Sequence, residues 1–168
     1  MPAPVTPAGL LSKPVNALRQ LVANSSAFRD WVDAADVNAA LLRVHIISTP
    51  RNPTSPFALI DFGDFIRDRE AVKGGIAFKQ RSGSALVLYF RANVDEGTNE
   101  PDAALAFCNA IGAVWDDLER AAGVHANRSL PIISMEMLAP PARIVNEKRQ
   151  QAGDYYECAI SLSYSRQP

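Results

Sequence analysis

The feature that most constrains this chain is an alternation near its C-terminal end. In GDYYECAISLSYS, Tyr156, Cys158, Ile160, Leu162 and Tyr164 occupy every second position, while Glu157, Ser161 and Ser163 fall between them. A period of two places one apolar row on one side of an extended strand. Such a strand belongs to a sheet that is covered on one face and freer on the other. The cover is also legible. The segment EPDAALAFCNAIGAVWDDLERAAG has Asn99 before it as an N-cap, Glu100 and Asp102 at the positive helix start, Pro101 where proline is tolerated, and Gly123 at the C-terminal position. Leu105, Cys108, Ile111, Trp115, Leu118 and Ala122 step by three or four along it and predict the buried stripe. Asp116, Asp117, Glu119 and Arg120 are read as its solvated face.

The remaining elements follow the same logic. Prolines 2, 4 and 7 with Gly9 predict an extended arm over residues 1–13, followed by one domain over 14–168. Leu11, Val15, Leu18 and Val22 have helical spacing, with Pro14 in the first turn. Asn24-Ser25-Ser26 offers a cap to a short helix with Phe28, Trp31 and Val32 on one face, and Asp36 caps a further turn through Leu41. The period then changes to two at Leu42, Val44 and Ile46. After the turn-rich TPRNPTSP, strands are predicted at Phe57–Phe62 and Ala85–Val94, a short one at GIAFKQ, and later ones at Leu130–Leu138 and Asp154–Ser165. Strands in runs with helices to cover one face define an α+β class: a mainly antiparallel sheet covered by the long helix and short N-terminal helices.

Composition removes several functional classes. Of 168 residues, 48% are apolar and 21% charged, and a net charge of −1 lacks the basic excess of a dedicated nucleic-acid binder. No apolar run reaches the ~18 residues of a membrane span, so no membrane partner is expected. The opening MPAPVTPAGLLSK has one charge before Pro14 and no long apolar stretch, so no secretion signal is expected. Cys108 and Cys158 sit in apolar stretches and are read as buried free thiols. His45 and His125 have no second His or Cys at ligand spacing. Neither a phosphate loop, nor G-x-G-x-x-G, nor G-x-S-x-G is present. Asp61, Asp64, Asp68 and Glu70 are interleaved with Arg67 and Arg69, which reads as a salt-bridged surface loop rather than a metal site. No cofactor is expected. Two stretches carry a basic excess: residues 64–83, with Arg67, Arg69, Lys73, Lys79 and Arg81 against three acids, and residues 140–151, with Arg143, Lys148 and Arg149 against Glu147.

The element order and the segments PFALIDF, SALVLYFRANV, EPDAALAFCNAIGAVWDDLERAAG and GDYYECAISLSYS resemble the tail terminator (tail completion) family of long-tailed bacteriophages. The resemblance spans roughly residues 14–165 and implies a non-enzymatic virion protein of the tail or neck, assembled in the host cytoplasm. It implies a homo-oligomeric ring, typically a homo-hexamer, that caps the tail tube, stops its polymerisation and presents the head-docking surface. The implied partners are the tail-tube protein, a head-completion or connector protein, and DNA only as it passes through the ring. Arg67, Arg69, Lys73, Lys79, Arg81, Arg143, Lys148 and Arg149 are the candidate assembly-interface residues. Two alternatives stay open: a head-completion or connector subunit of the neck, and a small cytoplasmic enzyme or ligand-binding domain with a pocket between long helix and sheet. No pair of converging ionisable groups supports the enzyme.

Overall fold

A computed structural model describes residues 5–7, 9, 11–63, 67–72, 75–80, 84–94, 97, 99–123, 130–145 and 153–164. Three helices come first: α1 (Ser12–Asn24), α2 (Ser26–Trp31) and α3 (Val37–Leu41). The Ser25 hydroxyl accepts the Phe28 amide of α2 at 3.0 Å, and the Asp36 carboxylate accepts the Ala39 amide of α3 at 2.8 Å. These are the caps that the sequence offered. Strands β1 (Val44–Ile46), β2 (Phe57–Phe62), β3 (Arg67–Val72), β4 (Gly75–Gln80) and β5 (Ser84–Asn93) precede helix α4 (Glu100–Gly123). The last strands are β6 (Ile132–Ile144) and β7 (Tyr155–Tyr164).

Five strands form one sheet in the order β1-β2-β5-β7-β6. Every pairing in it is antiparallel except β1 with β2. The class is therefore α+β, as the alternating strands and amphipathic helices predict. Strands β3 and β4 pair with each other in a two-stranded sheet.

One face of the large sheet carries Ala58, Ile60, Leu86, Leu88, Phe90, Tyr156, Cys158, Ile160, Leu162 and Tyr164. These pack against Val15, Leu18 and Val22 of α1, Phe28 of α2, and Phe107, Ile111, Val114 and Leu118 of α4. The alternate row of β7 lies in this core as expected. Aromatic rings join the layers: Trp31 stands edge-on to Phe90 at 5.8 Å and to Phe107 at 6.0 Å. Each fully buried Leu, Ile or Phe contributes about 1.5–3 kcal/mol of transfer free energy, so this face dominates the fold's stability.

Several sequence expectations are corrected. The buried stripe of α4 runs Phe107-Ile111-Val114-Leu118, whereas Leu105 is 60% exposed and Cys108 is also exposed. Both stripes share Ile111 and Leu118. The buried stripe is turned part-way round the helix, which puts the larger Phe107 inside, next to Trp31 and Tyr156. Cys158 is buried and free, Cys108 exposed and free. Leu42 belongs to the end of α3 rather than to a strand. The charged run Arg67–Val72, expected as a loop, is a strand, paired through its backbone with GIAFKQ. Strand β6 continues past Leu138 through Pro140 and Pro141 to Ile144. Prolines are tolerated there because β6 is an edge strand, and pairing with β7 skips from Ala139 to Ala142 at a bulge.

Candidate assembly surface

Of the eight basic positions singled out in the sequence, four lie among the described residues. Arg67 and Arg69 lie on β3, and Lys79 lies on β4 in register with Asp68. Lys73, Arg81, Lys148 and Arg149 fall outside the described residues. Arg143 is on β6, and its guanidinium is engaged within the subunit. It donates to Asp154 Oδ2 from Nη2 at 2.6 Å and from Nε at 3.1 Å, and from Nη1 to Glu100 Oε1 at 2.6 Å. These bonds, Asp154 first and Glu100 second, hold the guanidinium still more firmly protonated than an ordinary arginine. Arg143 thus ties the start of α4 to the β6–β7 connection.

Asp117 is likewise an internal tie rather than a solvated carboxylate. It accepts the Ser25 hydroxyl at 2.7 Å, the Ala27 amide at 3.1 Å and the Ser26 hydroxyl at 3.3 Å, all from the start of α2. Those bonds, above all the one from Ser25, lower its pKa below the usual 3.8. A carboxylate at a helix N-terminus satisfies amides that the helix itself leaves open. Asp116, Glu119 and Arg120 on the same helix are exposed, as expected.

Apolar residues face outward at the two edges of the large sheet. Strand β6 is thirteen residues long, closes one edge, and exposes Ile133, Met137 and Leu138. Its register against β7 shifts between Ile132 and Ser134 and between Met137 and Ala139, so Ile133 and Leu138 are extra residues at bulges. Met137 spans the layer boundary: its sulfur accepts from the buried Cys158 thiol at 3.3 Å while the residue is 45% exposed. Burial pushes that thiol's pKa up to about 11. These bulges and Pro140-Pro141 blunt the edge against addition of a further strand, so it offers a neighbour its exposed side chains.

The β1 edge is built differently. Arg43 O and Ile47 N bond to β2 at Ala58 N and Ile60 O, which turns the peptide groups of Val44 and Ile46 away from the sheet. Both outward carbonyls are already used. Val44 O accepts from Arg19 Nε at 3.2 Å, and Ile46 O accepts the Ser48 amide at 2.7 Å. Between Ile46 and Ser48, Ile47 has a φ of 65° and is 59% exposed. His45, whose pKa is lowered by burial and then by Arg19 and Arg43, packs edge-on to Phe57 at 5.4 Å.

On the sheet face away from the helices, Arg91 forms an ion pair with Glu157 directly across β5 and β7. Its guanidinium lies 5.3 Å from the Tyr155 ring and 5.9 Å from that of Tyr89. Nothing in the sequence around Arg91 names this partner. Sequence reading also missed both apolar edges, although IISMEML is a visible run of apolar residues without the strict alternation of a covered strand. Among the described residues, no group of three or more His, Cys, Asp or Glu is placed to hold a metal ion.

No family model and no curated protein matches the chain. Among solved structures it is similar to a chain of the virion of native gene transfer agent (GTA) particle. That likeness has 10% identity and a TM-score of 0.39, and covers 89% of this chain and 92% of that one. A likeness of this degree carries no functional argument.

Proposed function

We propose that this chain is a non-enzymatic structural subunit of a phage-like particle, assembling as a ring at the end of the tail tube in the manner of a tail terminator. The observation that carries the reading is the thirteen-residue edge strand β6 with Ile133, Met137 and Leu138 exposed along it. Exposed apolar side chains grouped along one edge mark a surface that a neighbouring subunit covers. The segments that resemble the terminator family also fall on whole elements: PFALIDF on β2, SALVLYFRAN on β5, the long acidic-capped helix on α4, and YYECAISLSY on β7. In this role the ring stops tube growth and presents a surface to the head.

The test is tube growth in the presence of the purified full chain, read by negative-stain microscopy. The role predicts rings seated on tube ends and a shorter, narrower length distribution as the chain is added. Tubes that grow to the same length with bare ends contradict it. Rings that bind portal or connector complexes and ignore tube ends reassign the chain to head completion. For the basic positions, Arg67→Glu with Arg69→Glu weakens assembly at an unchanged melting temperature if β3 touches a neighbour. Unchanged assembly removes β3 from the interface.

A further inference from the structure

Ile47 is held in a conformation that its side chain disfavours. A β-branched residue at φ 65° lies outside its ordinary backbone range, and the Ser48 N–H to Ile46 C=O bond at 2.7 Å closes a tight turn around it. Conformations of this kind persist only where the surroundings enforce them, and they cluster at functional sites such as ligand clamps and switch regions. Inside the subunit the strain brings little burial, because the Ile47 side chain is 59% exposed and Leu42 nearby in sequence is 74% exposed. The outward carbonyls of Val44 and Ile46 are occupied, so this edge is closed to a further strand and offers side chains instead. Each edge also presents one exposed charge. On the β1 side Arg51 is exposed, while Arg43 is spent on the carbonyls of Thr54 and Pro56. On β6, Glu136 is exposed beside Met137 and Leu138, while Arg143 is tied to Glu100 and Asp154.

We infer that copies of this chain join head to tail, the β1 edge of one against the β6 edge of the next. Ile47 and Leu42 pack on Met137 and Leu138, and Arg51 lies against Glu136. The two surfaces differ and sit on opposite edges of one sheet, so the contact is heterologous and generates a ring when the rotation closes. The occupant of each edge is thus a second copy, matched to it in apolar surface and, at Arg51 and Glu136, by one pair of opposite exposed charges. This contact rests on the ring reading above and names the surface by which the ring forms.

Two variants test it. Ile47→Gly deletes the projecting side chain and also relieves the positive φ, which glycine adopts freely. It leaves the melting temperature of the dilute subunit unchanged or higher and raises the half-assembly concentration at least about ten-fold, the equivalent of ~1.4 kcal/mol. Wild-type assembly by this variant overturns the contact. In a Cys108→Ser background, Ile47→Cys combined with Leu138→Cys is oxidised under mild conditions. A head-to-tail contact gives a ladder of covalent multimers from the double variant and none from either single variant. Intact rings in the microscope without a ladder overturn the edge assignment while the ring reading stands. A chain that stays monomeric at all concentrations overturns both. Dimers formed equally by a single variant assign a two-fold contact and overturn the head-to-tail one.

Discussion

Replacing Asp117 with alanine tests how α4 is fastened to the N-terminal helices. The carboxylate accepts the Ser25 hydroxyl at 2.7 Å and the Ala27 amide at 3.1 Å, and Ser25 itself is buried. A hydrogen bond to a charged acceptor contributes about 1.5–3 kcal/mol, and stranding a buried donor adds its desolvation. At the low end of that range, the two shorter bonds together give a loss of about 3 kcal/mol. For a chain of this size such a loss lowers the melting temperature by roughly 6–12 °C. The bond at 3.3 Å from Ser26 is left out of the estimate because of its length. Asp117→Asn keeps an acceptor oxygen without the charge and loses less. The effect also has a pH signature. The folded-state pKa of Asp117 is depressed, so its stabilisation is fully present above the usual 3.8 and is lost as pH falls through the folded value. Urea unfolding followed by circular dichroism therefore shows a constant gap between wild type and Asp117→Ala near neutral pH and a shrinking gap in acid. A gap below about 0.5 kcal/mol at neutral pH, or one that does not change in acid, refutes the reasoning.

Four further outcomes follow from the packing. Phe107→Ala costs about 3–5 kcal/mol in the same unfolding assay, whereas Leu105→Ala stays within about 0.5, and the reverse order restores the helix register read from sequence. Gly112 is mid-helix with open space around its Cβ position, so Gly112→Ala stabilises by up to about 1 kcal/mol, and a loss shows that this position is crowded. Arg143→Ala lowers the melting temperature more in low salt than in high salt, since Glu100 and Asp154 meet it at a solvent-accessible site; a salt-independent loss assigns the effect to packing. A maleimide at neutral pH labels Cys108 and leaves Cys158 unmodified in the native chain, by mass spectrometry; equal labelling shows that the core opens at β7.

Much of the fold was legible because the strongest periodic signals lie on the best-packed elements. The alternation of Tyr156 to Tyr164 marks the strand with covered and open sides, and Ser25 and Asp36 cap the helices as their residue types require. The α4 register slipped because apolar residues surround more than half of that helix. Leu105 and Cys108 fit one stripe as well as Phe107 and Val114 fit another, and only tertiary contact with Trp31 and Tyr156 separates them. Strand β3 was hidden because Arg67-Asp68-Arg69-Glu70 has no apolar alternation, and its pairing with β4 runs through the backbone. The parallel pairing of β1 with β2 follows from the chain path, which local sequence does not encode. The candidate site was the least legible part. Charge was the visible signal in sequence, and one member of that basic set, Arg143, is engaged within the subunit by Glu100 and Asp154. The apolar edges became visible only once the strand order placed β1 and β6 on the outside.

Closure of this chain into a ring of copies, as proposed, is read from the solution mass of the purified full chain across concentration. A closed ring gives one defined multiple of the chain mass above a threshold concentration, lost in Ile47→Gly at the same concentration. A single-chain mass at every concentration, or an open series of ever larger species, contradicts it.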